Sequence, residues 1–146
     1  MTRRLLVALT TALALTACSS DKSPTAAAPT SQYPAVAGTY DVTGTFDGVD
    51  GTSFSGVLTL AQPSLDDATL TGTGSVDVTG AVNVTVSGLS ELTLTKAGVV
   101  SFLLGSASSG ETWQFTGTVT GATIAGRHTI STASASLSGP WSAVRR

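Results

Sequence analysis

The chain has 146 residues, room for one domain of ordinary size and a short leader. Only 11% of them are charged and 5% aromatic, with glycine at 16 positions, which disfavours a helical bundle, a highly charged disordered chain and an aromatic-girdled membrane barrel. The net charge is −2, and setting Arg3 and Arg4 aside leaves five basic residues against nine acidic ones; no Lys/Arg patch exists to neutralise phosphates, so no nucleic-acid partner is expected.

Arg3 and Arg4 precede an apolar run from Leu5 to Leu15 that is too short to cross a bilayer, which needs about 20 apolar residues. A basic start and a short apolar stretch are the layout of an export signal. The run ends in Leu15-Thr16-Ala17-Cys18, which resembles the lipobox of bacterial lipoproteins. The resemblance implies that residues 1–17 are a signal peptide and that Cys18 is acylated and becomes the mature N-terminus. Each buried methylene contributes about 0.8 kcal/mol, so acyl chains at Cys18 would hold the protein on a membrane. The competing reading is an ordinary signal peptide with a free thiol nearby, a reactive liability in an oxidising compartment. Cys18 is the chain's one cysteine, so no disulfide can staple the domain. Ser19 after the cysteine resembles lipoproteins destined for the outer membrane, on its periplasmic or cell-surface side; the alternative is the outer face of the cytoplasmic membrane.

Residues 18–35 carry Pro24, Pro29 and Pro34 among Ser, Thr and Ala, without hydrophobic periodicity, and read as a solvated tether. From residue 36 to 146 the chain reads as one domain. Period-2 alternation predicts strands near 38–47, 53–61, 68–79, 82–87, 90–95, 99–105, 111–120, 122–131 and 138–145, two of which could be one long strand with a bulge. Tyr40, Val42 and Phe46 share a face, as do Phe54, Leu58 and Leu60, then Leu70, Val76 and Val78, then Trp113, Phe115 and Val119. The opposite parity is mostly threonine, so one face is buried and the other solvated.

Gly44, Gly56, Gly72, Gly74, Gly117 and Gly126 fall on the apolar parity, where they permit the tight coiling of a small barrel. The strands also lack the lysines and inward charges that blunt exposed sheet edges, and closure removes the edges altogether. The expected fold is all-β: a small antiparallel up-and-down barrel of about eight strands, with a β-sandwich as the alternative. Gly38-Thr39-Tyr40 at the start, and Gly139-Pro140-Trp141 with Arg145 at the end, resemble the opening and closing strands of the calycin architecture, the lipocalin and avidin type of barrel. Tyr40 replaces the family's opening tryptophan. The resemblance implies a closing aromatic and arginine packed at the barrel floor.

Catalytic chemistry has little to draw on. His128 is the one histidine, and no nucleophile elbow accompanies it, so no catalytic residue is assigned and no enzyme is expected. Its two readings are a ligand-contacting group at a barrel mouth and a hydrogen-bonded residue near a strand end. Asp66-Asp67 read as a solvated loop, and Asp47-Gly48-Val49-Asp50-Gly51 as a hairpin turn rather than a calcium loop. No metal and no cofactor is expected. Tyr40, Phe54, Phe102, Trp113, Phe115, His128 and Trp141 are candidates to line an apolar ligand cavity, or else to fill the core, since an eight-stranded barrel can do either. The function classes left are a membrane-anchored envelope module that binds a small apolar ligand, and an envelope interaction protein with a packed barrel. The partners implied are the membrane, through the acyl chains, and either such a ligand or an envelope protein.

Overall fold

Threonine and β-branched residues suit a pleated surface with one wet and one dry side. A computed structural model of the chain, which describes residues 31–81, 83–105, 111–131 and 135–146, forms nine strands from them and no helix among the described residues. Residues 1–30, which hold the expected signal peptide, Cys18 and most of the expected tether, lie outside the described residues. The strands are β1 (Gly38–Thr45), β2 (Ser53–Ala61), β3 (Thr71–Thr79), β4 (Val84–Ser87), β5 (Leu89–Leu94), β6 (Val99–Leu104), β7 (Thr112–Thr120), β8 (Thr123–Ser131) and β9 (Ser136–Arg145). They form one antiparallel sheet in the order β4-β3-β2-β1-β9-β8-β7-β6-β5.

The two ends of that order, β4 and β5, are consecutive in sequence and meet at Gly88. There φ is +100°, a backbone angle that favours glycine. The Gly88 amide donates to the Gly74 carbonyl on β3 (3.3 Å), and the Gly105 amide at the end of β6 donates to the Gly88 carbonyl (3.0 Å). One stave therefore passes from pairing with β3 to pairing with β6, and the sheet curls into a nearly closed up-and-down barrel. The expected barrel is what forms, with two of its strands being halves of one stave. Closure excludes the sandwich.

Inside, burial follows the expected parity. Tyr40, Val42 and Phe46 are buried, as are Phe54, Leu58, Leu60, Val76, Val78, Trp113 and Phe115, while Val119 is half-buried. Leu70 is buried although it lies just before β3, because the loop after β2 runs further than alternation indicates. The exterior is mainly threonine and serine, the reverse of a lipid-spanning barrel, whose apolar band faces out.

The inward glycines make room for rings and for bent backbone. A Cβ at Gly44 would stand 2.1 Å from the Phe54 ring, and one at Gly126 would stand 2.0 Å from the Thr116 carbonyl oxygen of β7. Large rings and tight coiling thus share a narrow interior.

One end, the floor, is sealed. Val36 is fully buried, and its amide donates to Gln62 Oε1 (2.9 Å). The Tyr40 hydroxyl donates to the Val36 carbonyl (2.8 Å) and accepts from Arg145 Nη2 (2.9 Å), which also donates to the Ala35 carbonyl (2.9 Å). The Arg145 guanidinium lies over the Tyr40 ring, 5.4 Å from its centroid. The arginine packs at the floor as the calycin resemblance implies, but its aromatic partner is Tyr40. Trp141 sits further along β9, edge-on to Phe102 and Phe115, with its indole N–H donating to the Thr116 and Arg127 carbonyls, both at 3.1 Å.

Replacing Gly126 with alanine should destabilise the domain by about 3 kcal/mol, since backbone rather than a movable side chain occupies the space. Thermal unfolding should show a midpoint lower by roughly 10–20 °C. An unchanged midpoint would contradict the close packing of β7 on β8.

Candidate functional site

The opposite end, the mouth, is where β1, β3, β6 and β8 end and β2, β4, β7 and β9 begin. Among the described residues, the inward side chains near the strand ends there have no further layer above them. They leave a partly open pocket of about 260 Å³ whose lining includes Phe46, Val78, Val84, Trp113, Ile130 and Leu137. Val49 and Thr52 of the β1–β2 loop complete one wall. A second groove of about 260 Å³ runs along β4, where its outer edge parts from the end of β6 and the start of β7. Val84, Glu111 and Trp113 border both spaces.

Phe46 and Trp113 form the base of the mouth pocket, and His128 lies beneath them. The imidazole is 1% exposed. It meets Phe46 and Phe54 nearly perpendicularly, at ring-centroid distances of 5.1 and 4.9 Å, and lies roughly parallel to Trp113 at 6.4 Å. Phe115 is its cross-strand partner on β7, with 5.8 Å between the rings. Neither ring nitrogen of His128 has a partner in hydrogen-bonding geometry, and the same is true of Trp113 Nε1. Burial, helped by the neighbouring Arg127, pushes the His128 pKa down from 6.5 to about 4, against the smaller opposing effects of Asp47 and of the Gly139 backbone, which lies beside the imidazole but outside good hydrogen-bonding geometry. His128 is therefore a neutral imidazole in an aromatic box at physiological pH.

On the outer surface Arg127 pairs with Asp47 and donates to Ser138 (3.2 Å), stitching the β1–β2 loop to β9 at the mouth. Both partners are more than half exposed, so the pair contributes little stability.

The sequence candidates thus separate. Trp113 lines the mouth pocket, and His128 lies directly under it. Phe102 and Phe115 stack on each other at 5.0 Å in the middle of the barrel, and Tyr40 is part of the floor. Phe54 and Trp141 are buried too, each with one edge toward a shallow outer groove over Gly44. Val78, Val84, Ile130 and Leu137 were not singled out as ligand contacts. The available signal was positional: they are apolar residues near strand ends that the up-and-down order brings to one rim.

The chain matches no known family profile, no curated protein and no solved structure.

Because the folded barrel resists protonation of His128 until about pH 4 while the unfolded chain takes a proton near 6.5, acidification across that window favours unfolding. Stability should be constant above about pH 7 and fall by at most about 3 kcal/mol down to pH 4 through this residue. Urea unfolding at a series of pH values measures it, and His128→Phe should flatten that part of the profile. An equal slope in the variant would show that other groups carry it.

Proposed function

We propose that the protein is a lipid-anchored envelope module that takes a small apolar molecule into the mouth of a lipocalin-like barrel, without catalytic chemistry. The observation that carries the reading is the mouth pocket: an apolar, partly open concavity above a filled aromatic interior. At about 260 Å³ it is near the lower end of ordinary ligand sites, which suits a compact ligand rather than a long acyl chain. The up-and-down strand order and the Tyr40–Arg145 floor support the calycin-type resemblance.

The lipobox ending at Cys18 supports anchoring, and Ser19 supports the outer membrane as the address, on its periplasmic or cell-surface side. The described chain enters at the floor, so the mouth is at the barrel end opposite the tether's attachment. A second reading, a docking module for another envelope protein, is favoured by the exposed side chains of Val84 and Leu137 on the rim.

Binding is tested with an apolar fluorescent dye such as N-phenyl-1-naphthylamine. The protein should enhance its emission saturably, and Val84→Trp, a change at a half-exposed rim position, should abolish the enhancement without lowering the melting temperature. No enhancement by the unaltered protein would remove the ligand-binding reading and leave the docking one. Anchoring is tested by feeding labelled palmitate to the bacterial host: label should enter the chain and disappear in Cys18→Ala. An unlabelled chain with Cys18 intact would remove the anchor.

A further inference from the structure

Three polar atoms at the base of the mouth pocket are unexplained by the apolar-ligand reading. Trp113 Nε1 is buried without a partner, and His128 Nδ1 and Nε2 have none in good hydrogen-bonding geometry, although the Gly139 backbone lies near enough to act on the imidazole; the two rings lie nearly parallel, at an interplanar angle of 15°. Such orphaned groups are uncommon in folded proteins, because each gives up its hydrogen bonds to water without replacement. Nothing in the fold requires a histidine there. Phe102 and Phe115, next to it in register, show that hydrocarbon rings fill this level of the barrel.

Phe46 lines the pocket and touches His128, Phe54 and Trp113, all edge to face, at 5.1, 5.8 and 6.0 Å. It stands just past the last residue of β1, at the start of a loop that contains Gly48 and Gly51, both with positive φ. Phe46 is the lining ring least held by the strand ladder.

We infer that displacement of the Phe46 ring extends the mouth pocket to a polar subsite formed by Trp113 Nε1 and the His128 imidazole, and that the ligand is a compact amphiphile whose leading end carries one uncharged hydroxyl or carbonyl group. The inference rests on the ligand-binding reading above and specifies its chemistry. An indole N–H can only donate, so it selects an acceptor oxygen. A neutral imidazole donates from one nitrogen and accepts at the other, so a hydroxyl satisfies both rings at once. A carboxylate is disfavoured, because among the described residues no cation faces the box and the Arg127 guanidinium is engaged outside with Asp47. A cation could use the ring faces, but it would point a charge at a donor.

The test uses the mature chain, residues 18–146 carrying Cys18→Ser so that no acyl chain competes, titrated with cyclohexane, cyclohexanol and cyclohexylammonium while the indole N–H resonances are followed by NMR. A purely apolar pocket penalises a hydroxyl by roughly tenfold or more. With the subsite present, cyclohexanol should bind at least as tightly as cyclohexane and shift the Trp113 indole N–H downfield, and cyclohexylammonium should bind most weakly. Trp113→Phe should restore a preference for cyclohexane of about tenfold, and Phe46→Ala should tighten cyclohexanol binding by opening the path. If a variant does not fold, the order of the three probes on the unaltered site still decides. Cyclohexane binding tenfold tighter than cyclohexanol, with the indole signal unmoved, would overturn the subsite and leave the apolar pocket standing. Tightest binding by the ammonium would also overturn it, and no binding by any probe would overturn pocket and subsite together.

Discussion

Nine short strands with one dry face each, with no disulfide and, among the described residues, no helix to cover them, can be stable only if the sheet covers itself. The crossing at Gly88 is where that happens. A single stave is hydrogen-bonded to β3 along one half and to β6 along the other, so the first and last members of the sheet are the same segment of chain. Everything else follows from this closure. The aromatic residues acquire an interior, the threonines acquire an exterior, and the unpaired edge shrinks to the outer side of β4 near the mouth and the seam between β5 and the first residues of β3.

Closure with about eight staves also fixes how much space there is. The interior is wide enough for side chains and little more. Phe54 lies where Gly44 has no side chain, and β7 meets β8 where Gly126 has none. The middle of the barrel is therefore filled, and the floor is shut by Val36, Tyr40 and Arg145. Among the described residues, the apolar space continuous with the interior lies at the mouth, where the strands end. His128 marks the boundary between these regimes. It is buried deeply enough to be held neutral, yet lies close under the pocket, with its hydrogen-bonding capacity unused.

Much of the fold was legible because period-2 alternation reports burial directly. From Tyr40 to Phe46 and from Trp113 to Phe115, parity alone identifies the inward face, and the glycines on that parity announce the tight coiling. The turn at Asp47-Gly48 was legible from the positive φ it needs. The crossing at Gly88 was less so: the sequence shows two short strands either side of a glycine, and only the pairing of β3 and β6 on opposite sides makes them one stave. The site was legible in part. Aromatic type singles out Trp113, and uniqueness singles out His128, but Phe102, Phe115 and Tyr40 look the same in sequence while serving the core and the floor. Their roles depend on height along the barrel axis, which parity does not encode. The rim residues Val84 and Leu137 resemble ordinary strand positions until the topology places them together.

Hydrogen exchange at the Gly88 and Gly105 amides tests the closure most directly, since their hydrogen bonds to the Gly74 and Gly88 carbonyls are the ones an open sheet would lack. Protection within about tenfold of that of the β7 and β8 amides is the result closure requires. Free exchange at both glycines, with β7 and β8 still protected, would mean an open sheet, and the enclosed interior, the mouth pocket and the buried imidazole would go with it.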